Sequence, residues 1–294
     1  PALELETVAQ TASARLVVPS YLEEENNTVF GTTKIAVAYG PGYSLACEDN
    51  NAGASAAFRR ISSRFFATAS FTKPAASSVL RMAYKHRRGE AVRGFTVASI
   101  LKDDDGYSEL HSSFHLESDG KQWHVMDAHK VVERDAKGTI ESMRTIHWLE
   151  GGAPIVLSAK PAEAGKLRLK LEAGEKSDSL ELTPRAPLST ELWEAPSLLK
   201  VSSGAAPSHK YGFLSISSDG EPTISYSAIT RAKSGVVLEE IDHGKRKKGG
   251  DDVVEKNEVS VDDRGFATKQ VSADTIYERL FLSGELPVRA TAKG

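Results

Sequence analysis

The run ELHSSFHLESDGKQWHVMDAHK, Glu109 to Lys130, carries His111, His115, His124 and His129, four of the eight histidines in the chain. A free imidazole titrates near neutrality and ligates transition metals, so such a cluster could serve acid–base catalysis, metal binding or pH sensing. Geometry narrows the choice. Asp119-Gly120 favours the left-handed conformations of a tight hairpin turn. With that pair at the centre, Leu116 faces Trp123 and His115 faces His124. His111, Ser113, His115, His124 and Met126 then share one face, and Leu110, Phe114, Leu116, Trp123 and Val125 share the other with His129. The large apolar side chains mark the second face as core, so His111, His115 and His124 are expected to look away from it.

Distance weighs against a metal. His111 and His115 lie four residues apart on a strand, roughly 13 Å, whereas imidazole–metal bonds are about 2 Å. His115 and His124, with β-carbons about 5 Å apart, could share an ion if His86, His147 or an acidic residue supplied a third ligand. Polar β residues facing solvent, or lining a ligand cavity, are the simpler reading, and no metal or cofactor is assigned. His115 and His124 are the candidate proton shuttles, and His111 a candidate ligand contact.

Tyr84, Arg87 and Arg88, in YKHRRGEAVRG, are candidate rim residues, because arginine forks bind carboxylate or phosphate. DDDG, Asp103 to Gly106, fits a hairpin turn better than a calcium site. GKRKKGG reads as a basic surface loop, and LEEIDHG as a charged strand end. Phosphate-loop, dinucleotide-fingerprint and Gly-x-Ser-x-Gly patterns do not occur, which argues against a P-loop hydrolase, a Rossmann dehydrogenase and an α/β-hydrolase.

These residues sit in short alternating segments such as TTKIAVAY, VRGFTVASILK, QWHVMDAHKVVE and KLRLKLEA, each closed by turn residues about every ten positions, the rhythm of an all-β sandwich or barrel. The expected fold is mainly β and antiparallel, a sandwich or two barrel-like halves. One helix is expected near residues 52–66, with Ala54, Phe58, Ile61 and Phe65 as its buried stripe. A C-terminal helix is expected near 273–283, where Ile276, Leu280 and Phe281 precede Gly284. The Pro- and Ser-rich stretch 186–208 reads as a linker between a β-rich domain at 1–185 carrying one helix and a smaller β-rich part at 209–294 carrying the terminal helix, with a single domain as the alternative.

The bulk properties suit a protein held together by packing. Of 294 residues, 40% are hydrophobic, the formal net charge is −3, and Cys47 is the single cysteine, so no internal disulfide can form. Without a basic surplus there is no reason to expect general nucleic-acid binding. No apolar run reaches the ~20 residues of a membrane helix. PALELETVAQ lacks the pattern of a signal peptide, so a soluble, cytoplasmic protein is expected. The leading functional reading is a binding protein that takes a medium-sized organic or carbohydrate ligand in a cavity or groove, with no oligomeric state assigned. One alternative is a cofactor-independent lyase, isomerase or cyclase using histidine acid–base chemistry in the same cavity. Another is a structural or assembly subunit, such as a capsid or appendage protein.

Overall fold

A computed structural model describes residues 8–9, 16–26, 29–40, 43–49, 55–68, 77–118, 123–149, 153–216, 222–242 and 252–287. Its architecture is mainly antiparallel β. The first sheet holds β1 (Val8–Ala9), β2 (Leu16–Asn26), β3 (Val29–Gly40) and β4 (Tyr43–Asp49), in that order. Helix α1 (Ser55–Thr68) follows and lies against β2, β3 and β4.

The second sheet begins with a meander of eight strands: β5 (Ser77–Arg88), β6 (Ala91–Lys102), β7 (Gly106–Ser118), β8 (Trp123–Asp135), β9 (Ile140–Leu149), β10 (Ile155–Pro161), β11 (Leu167–Ala173) and β12 (Lys176–Leu182). A second meander contains β13 (Ser208–Ile216), β14 (Pro222–Arg231), β15 (Val236–Asp242), β16 (Asp252–Val261), β17 (Ala267–Ser272) and β18 (Thr275–Gly284). Antiparallel pairing of β18 with β5 joins the two into one 14-stranded sheet with β12 and β13 at its ends. The sheet curls until those ends meet face to face. Ala159, Leu167 and Leu169 from the first meander form one buried cluster with Ile224 and Tyr226 from the second. The fold is therefore barrel-like, and its two meanders are parts of one sheet.

Three hairpin connections reuse one device. In Asp103–Gly106, Asp135–Gly138 and Asp262–Gly265 the spacing is Asp-x-x-Gly, and the aspartate carboxylate accepts backbone N–H bonds of 2.8–3.0 Å from inside its own turn. Gly138 and Gly265 adopt φ of 83° and 87°, which a side chain would oppose. DDDG thus has its first carboxylate committed to the turn.

Both expected helices differ from the sequence reading. Residues 273–283 are not helical: Thr275–Gly284 is strand β18, hydrogen-bonded on both edges, to β17 and to β5. Ile276, Leu280 and Phe281 suit either period, and the β-formers Thr275, Ile276, Tyr277 and Phe281 fill the gap between two strands whose edges need partners. The helix expected near 52–66 is present as α1, but only part of its stripe is covered: Phe58 is buried, while Ile61 and Phe65 are exposed.

The stretch 186–208 is no solvated connector. Ser189, Thr190, Leu192, Trp193, Ala195, Leu198 and Val201 are all buried. It first adds a parallel bridge beside β13, with Gly212 donating to Pro187 O at 2.9 Å and accepting from Ser189 N at 3.0 Å. Leu192, Trp193 and Ala195 then pack on Leu80, Met82, Ala98 and Ile100. Helix α2 (Ala195–Ser203) seats Leu198 and Val201 on Tyr211, Ile229, Val236, Leu238 and Val259. Pro196 stands in its first turn, where no N–H is needed, and Gly204 ends it at φ 81°. The segment is a plug inside the curl that ties the first meander to the second. Among the described residues, no helix is long and apolar enough to cross a membrane.

Candidate functional site

The strand registers set out the inner face of the sheet row by row. Leu80, Ile100, Glu109, Val132 and Met143 make one row across β5 to β9; Met82, Ala98, His111, Lys130 and Thr145 make the next. Tyr84, Thr96, Ser113, Ala128 and His147 follow, and then Tyr277, His86, Gly94, His115 and Met126 from β18 to β8. The first row is apolar around Glu109. The second row, and the third from Tyr84 to Ala128, wall a cavity of about 380 Å³. Tyr211, Ser227, Glu240, Gln270 and Tyr277 close it from the second meander, and Thr190 and Glu191 from the plug. A pocket of this size with convergent aromatic, hydroxyl, amide and charged groups suits one medium-sized molecule.

Glu109 anchors one wall. It is fully buried, and its carboxylate accepts from His111 Nε2 at 2.5 Å and from the Thr190 hydroxyl at 2.7 Å, with Arg134 Nη2 at 3.5 Å. Burial alone pushes this carboxyl up, but the His111 hydrogen bond and the charges of His111, Arg134 and Lys130 outweigh it and hold it at about 2. Arg134 is itself buried, its guanidinium 4.5 Å from the Trp193 ring centroid, and it donates to Gly138 O at 3.1 Å. The carboxylate thereby fixes the His111 ring against the cavity wall.

The histidine row forms a second polar network. Gly94 lies between His86 and His115 in the register and has no side chain, so the two imidazoles meet across it with Nδ1 atoms 3.4 Å apart. His86 Nε2 lies 2.9 Å from the Thr96 hydroxyl, itself 2.9 Å from that of Ser113, and the Tyr277 ring meets His86 edge-on at 4.6 Å. Burial, with the His115 charge adding to it, pushes His86 down from 6.5 to about 3, so it is neutral across the physiological range. Tyr84 donates to Ala267 O at 2.8 Å, and burial, followed by the Glu191 charge, raises its phenol. Burial also raises Tyr211.

The hairpin register differs from expectation by two residues. Ser118 pairs with Trp123, Glu117 with His124, and His115 with Met126, so His115 and His124 are not opposite one another. The turn itself, 119–122, lies outside the described residues, as does the His124 side chain. A two-residue shift preserves which residues share a face, but the meaning of that face reverses. His111 and His115 do not look out to solvent; they belong to the inner face. The other face is covered as well, since Ala83, Phe95 and Val97 on it are also buried. Alternation marks an apolar face and cannot reveal that the polar face encloses a cavity.

Of the candidate residues, the structure brings His111 and Tyr84 together on the cavity wall. His115 sits one row beyond, against His86. Arg87 pairs with Glu278 at 2.6 Å and the exposed Arg88 with Asp274, and neither lines the cavity. Glu109, Lys130, Thr190 and Gln270 were not among the candidates. Only the row register would have found Lys130, directly across from His111. Among the described residues, no group of three or more His, Cys, Asp or Glu side chains is arranged to hold a metal ion.

No protein-family model matches the chain, and no curated protein does. Among solved structures, the chain is similar in shape to a beta-barrel-like protein of the domain of unknown function DUF1849 from Brucella abortus. That match has 14% identity and a TM-score of 0.49, and covers 72% of this chain and 100% of the other.

Proposed function

We propose that this protein binds one medium-sized organic or carbohydrate molecule inside the curl of its large sheet. The observation that carries the reading is the cavity of about 380 Å³, walled by Tyr84, His111, Tyr211 and Gln270, next to the fully buried row of Leu80, Ile100, Glu109, Val132 and Met143. Filling that space with side chains would have been the cheaper way to stabilise the fold. Aromatic rings offer stacking area, and the hydroxyl and amide groups fix orientation.

A thermal-shift screen of sugars and aromatic or aliphatic acids tests it. A ligand present at about a hundred times its Kd adds roughly 2.7 kcal/mol to stability, a shift of several degrees for a domain of this size. Ala128→Trp, which places an indole in the cavity, is expected to abolish the shift given by every true hit while retaining the far-UV circular dichroism of the parent. Hits that shift the variant equally would refute the cavity as the site.

One observation favours acid–base chemistry in the same cavity as a second reading. His111 is held by a buried carboxylate, the arrangement that fixes an imidazole for proton transfer. On that reading His111 is the proton-transferring group.

A further inference from the structure

We propose that the cavity contains an anion subsite, formed by the Lys130 ammonium and the Thr145 hydroxyl, which takes the carboxylate or an equivalent oxyanion of an organic acid. The inference rests on the cavity being a ligand site and names the class of ligand.

Three observations converge on it. First, His111, Lys130 and Thr145 are consecutive in one row, each directly paired with the next across β7, β8 and β9, and all three line the cavity. Directly paired residues hold their β-carbons about 5 Å apart, so the ammonium and the hydroxyl can converge on one small group. Second, among the described residues the side chains of Lys130 and Thr145 make no direct hydrogen bond or ion pair, so both polar groups can turn to a ligand. Third, the charge on this wall does not cancel. Glu109 is the single carboxylate of the cluster, and it already accepts from His111 and Thr190 with Arg134 beside it. His111 and Arg134 approach it directly, whereas Lys130 acts on it by charge alone, so the half-buried ammonium has no directly bonded anion on this wall. A bound oxyanion would supply the direct partner that the Lys130 ammonium lacks.

The other charged groups around the cavity fit the same orientation. Glu191 comes from the plug and Glu240 from β15, on the second meander, so an acid would lie with its anionic end toward β8 and β9 and its body against Tyr84, Tyr211 and Tyr277.

A matched pair of fluorescent probes tests the inference: 1-anilinonaphthalene-8-sulfonate, an aromatic anion, and N-phenyl-1-naphthylamine, the same skeleton without charge. Loss of a charge-assisted hydrogen bond predicts that Lys130→Met weakens the sulfonate about tenfold or more while changing the neutral probe by less than about twofold. Lys130→Arg should keep most of the sulfonate affinity, and Thr145→Val should weaken the sulfonate alone by a few fold. If Lys130→Met weakens both probes equally, or neither, the anion subsite is wrong and the cavity reading survives. If neither probe binds the parent protein, or Ala128→Trp leaves both bound, the cavity reading itself fails.

Discussion

At the scale of single residues, the two buried polar networks make acid the weak side of this protein. Glu109 titrates at about 2 in the folded chain, against 4.5 for a free carboxyl. Its contribution to stability is complete above about 4.5 and is lost as pH falls from there toward 2. His86 titrates at about 3, against 6.5. The unfolded chain takes up that proton first, so the His86 contribution is complete above 6.5 and erodes as pH falls from 6.5 toward 3. The earliest acid loss of stability is therefore assigned to His86, joined by His147, which burial also lowers, well before Glu109 takes part. His86→Gln, which retains a hydrogen-bonding group near Thr96 without the titration, is expected to show a flatter Tm against pH between about 6.5 and 5 than the parent. Parallel curves in that window would remove His86 as the cause. None of this was visible in the sequence, because both networks depend on which residues share a row. His86 and His115 are 29 positions apart and meet only because Gly94 separates their strands.

At the scale of elements, the segment carrying α2 decides whether the curl is filled. Trp193 is 2% exposed and packs against Tyr107, Arg134 and the cluster around Leu80 and Ile100. Trp193→Ala is expected to destabilise the protein by about 3–5 kcal/mol, as a large core truncation does; a linker residue would cost less than about 0.5 kcal/mol. Chemical denaturation separates these outcomes. The prolines and serines of 186–208 resemble a linker because Pro184 and Pro187 do end the strand pattern. Leu188, Leu192, Trp193, Leu198 and Val201 were the contrary signal, since a solvated connector has no use for so many large apolar side chains. The strands themselves were far more legible. Alternation and turn chemistry are local, and the Asp-x-x-Gly turns announce themselves in sequence. Strand β18 was misassigned because its apolar spacing fits two periods, and only the vacant edge of β5, nearly two hundred residues upstream, chooses between them.

At the scale of the whole molecule, one continuous sheet forms the body for which a sandwich or two barrel-like halves were expected. The β18–β5 pairing makes the inner faces of both meanders a common surface, so a residue from β8 and a residue from β13 can face the same cavity. The antiparallel β class follows from patterning alone; the closure does not, because it depends on β5 pairing with β18, first and last of these strands in chain order, and on the two ends of the sheet packing together. Closure also explains how His111 and the hydroxyls of Tyr84, Thr96, Ser113 and Thr145 come to be inside: they line a space that packing leaves open. The central claim is that this space is the binding site. Crystals soaked with a brominated N-phenyl-1-naphthylamine would test it directly through the bromine anomalous signal. The account predicts a single dominant peak among Tyr84, Ala128 and Tyr211, absent in Ala128→Trp. A dominant peak elsewhere, such as on the exposed Ile61 and Phe65 of α1, with the interior left empty, would contradict it.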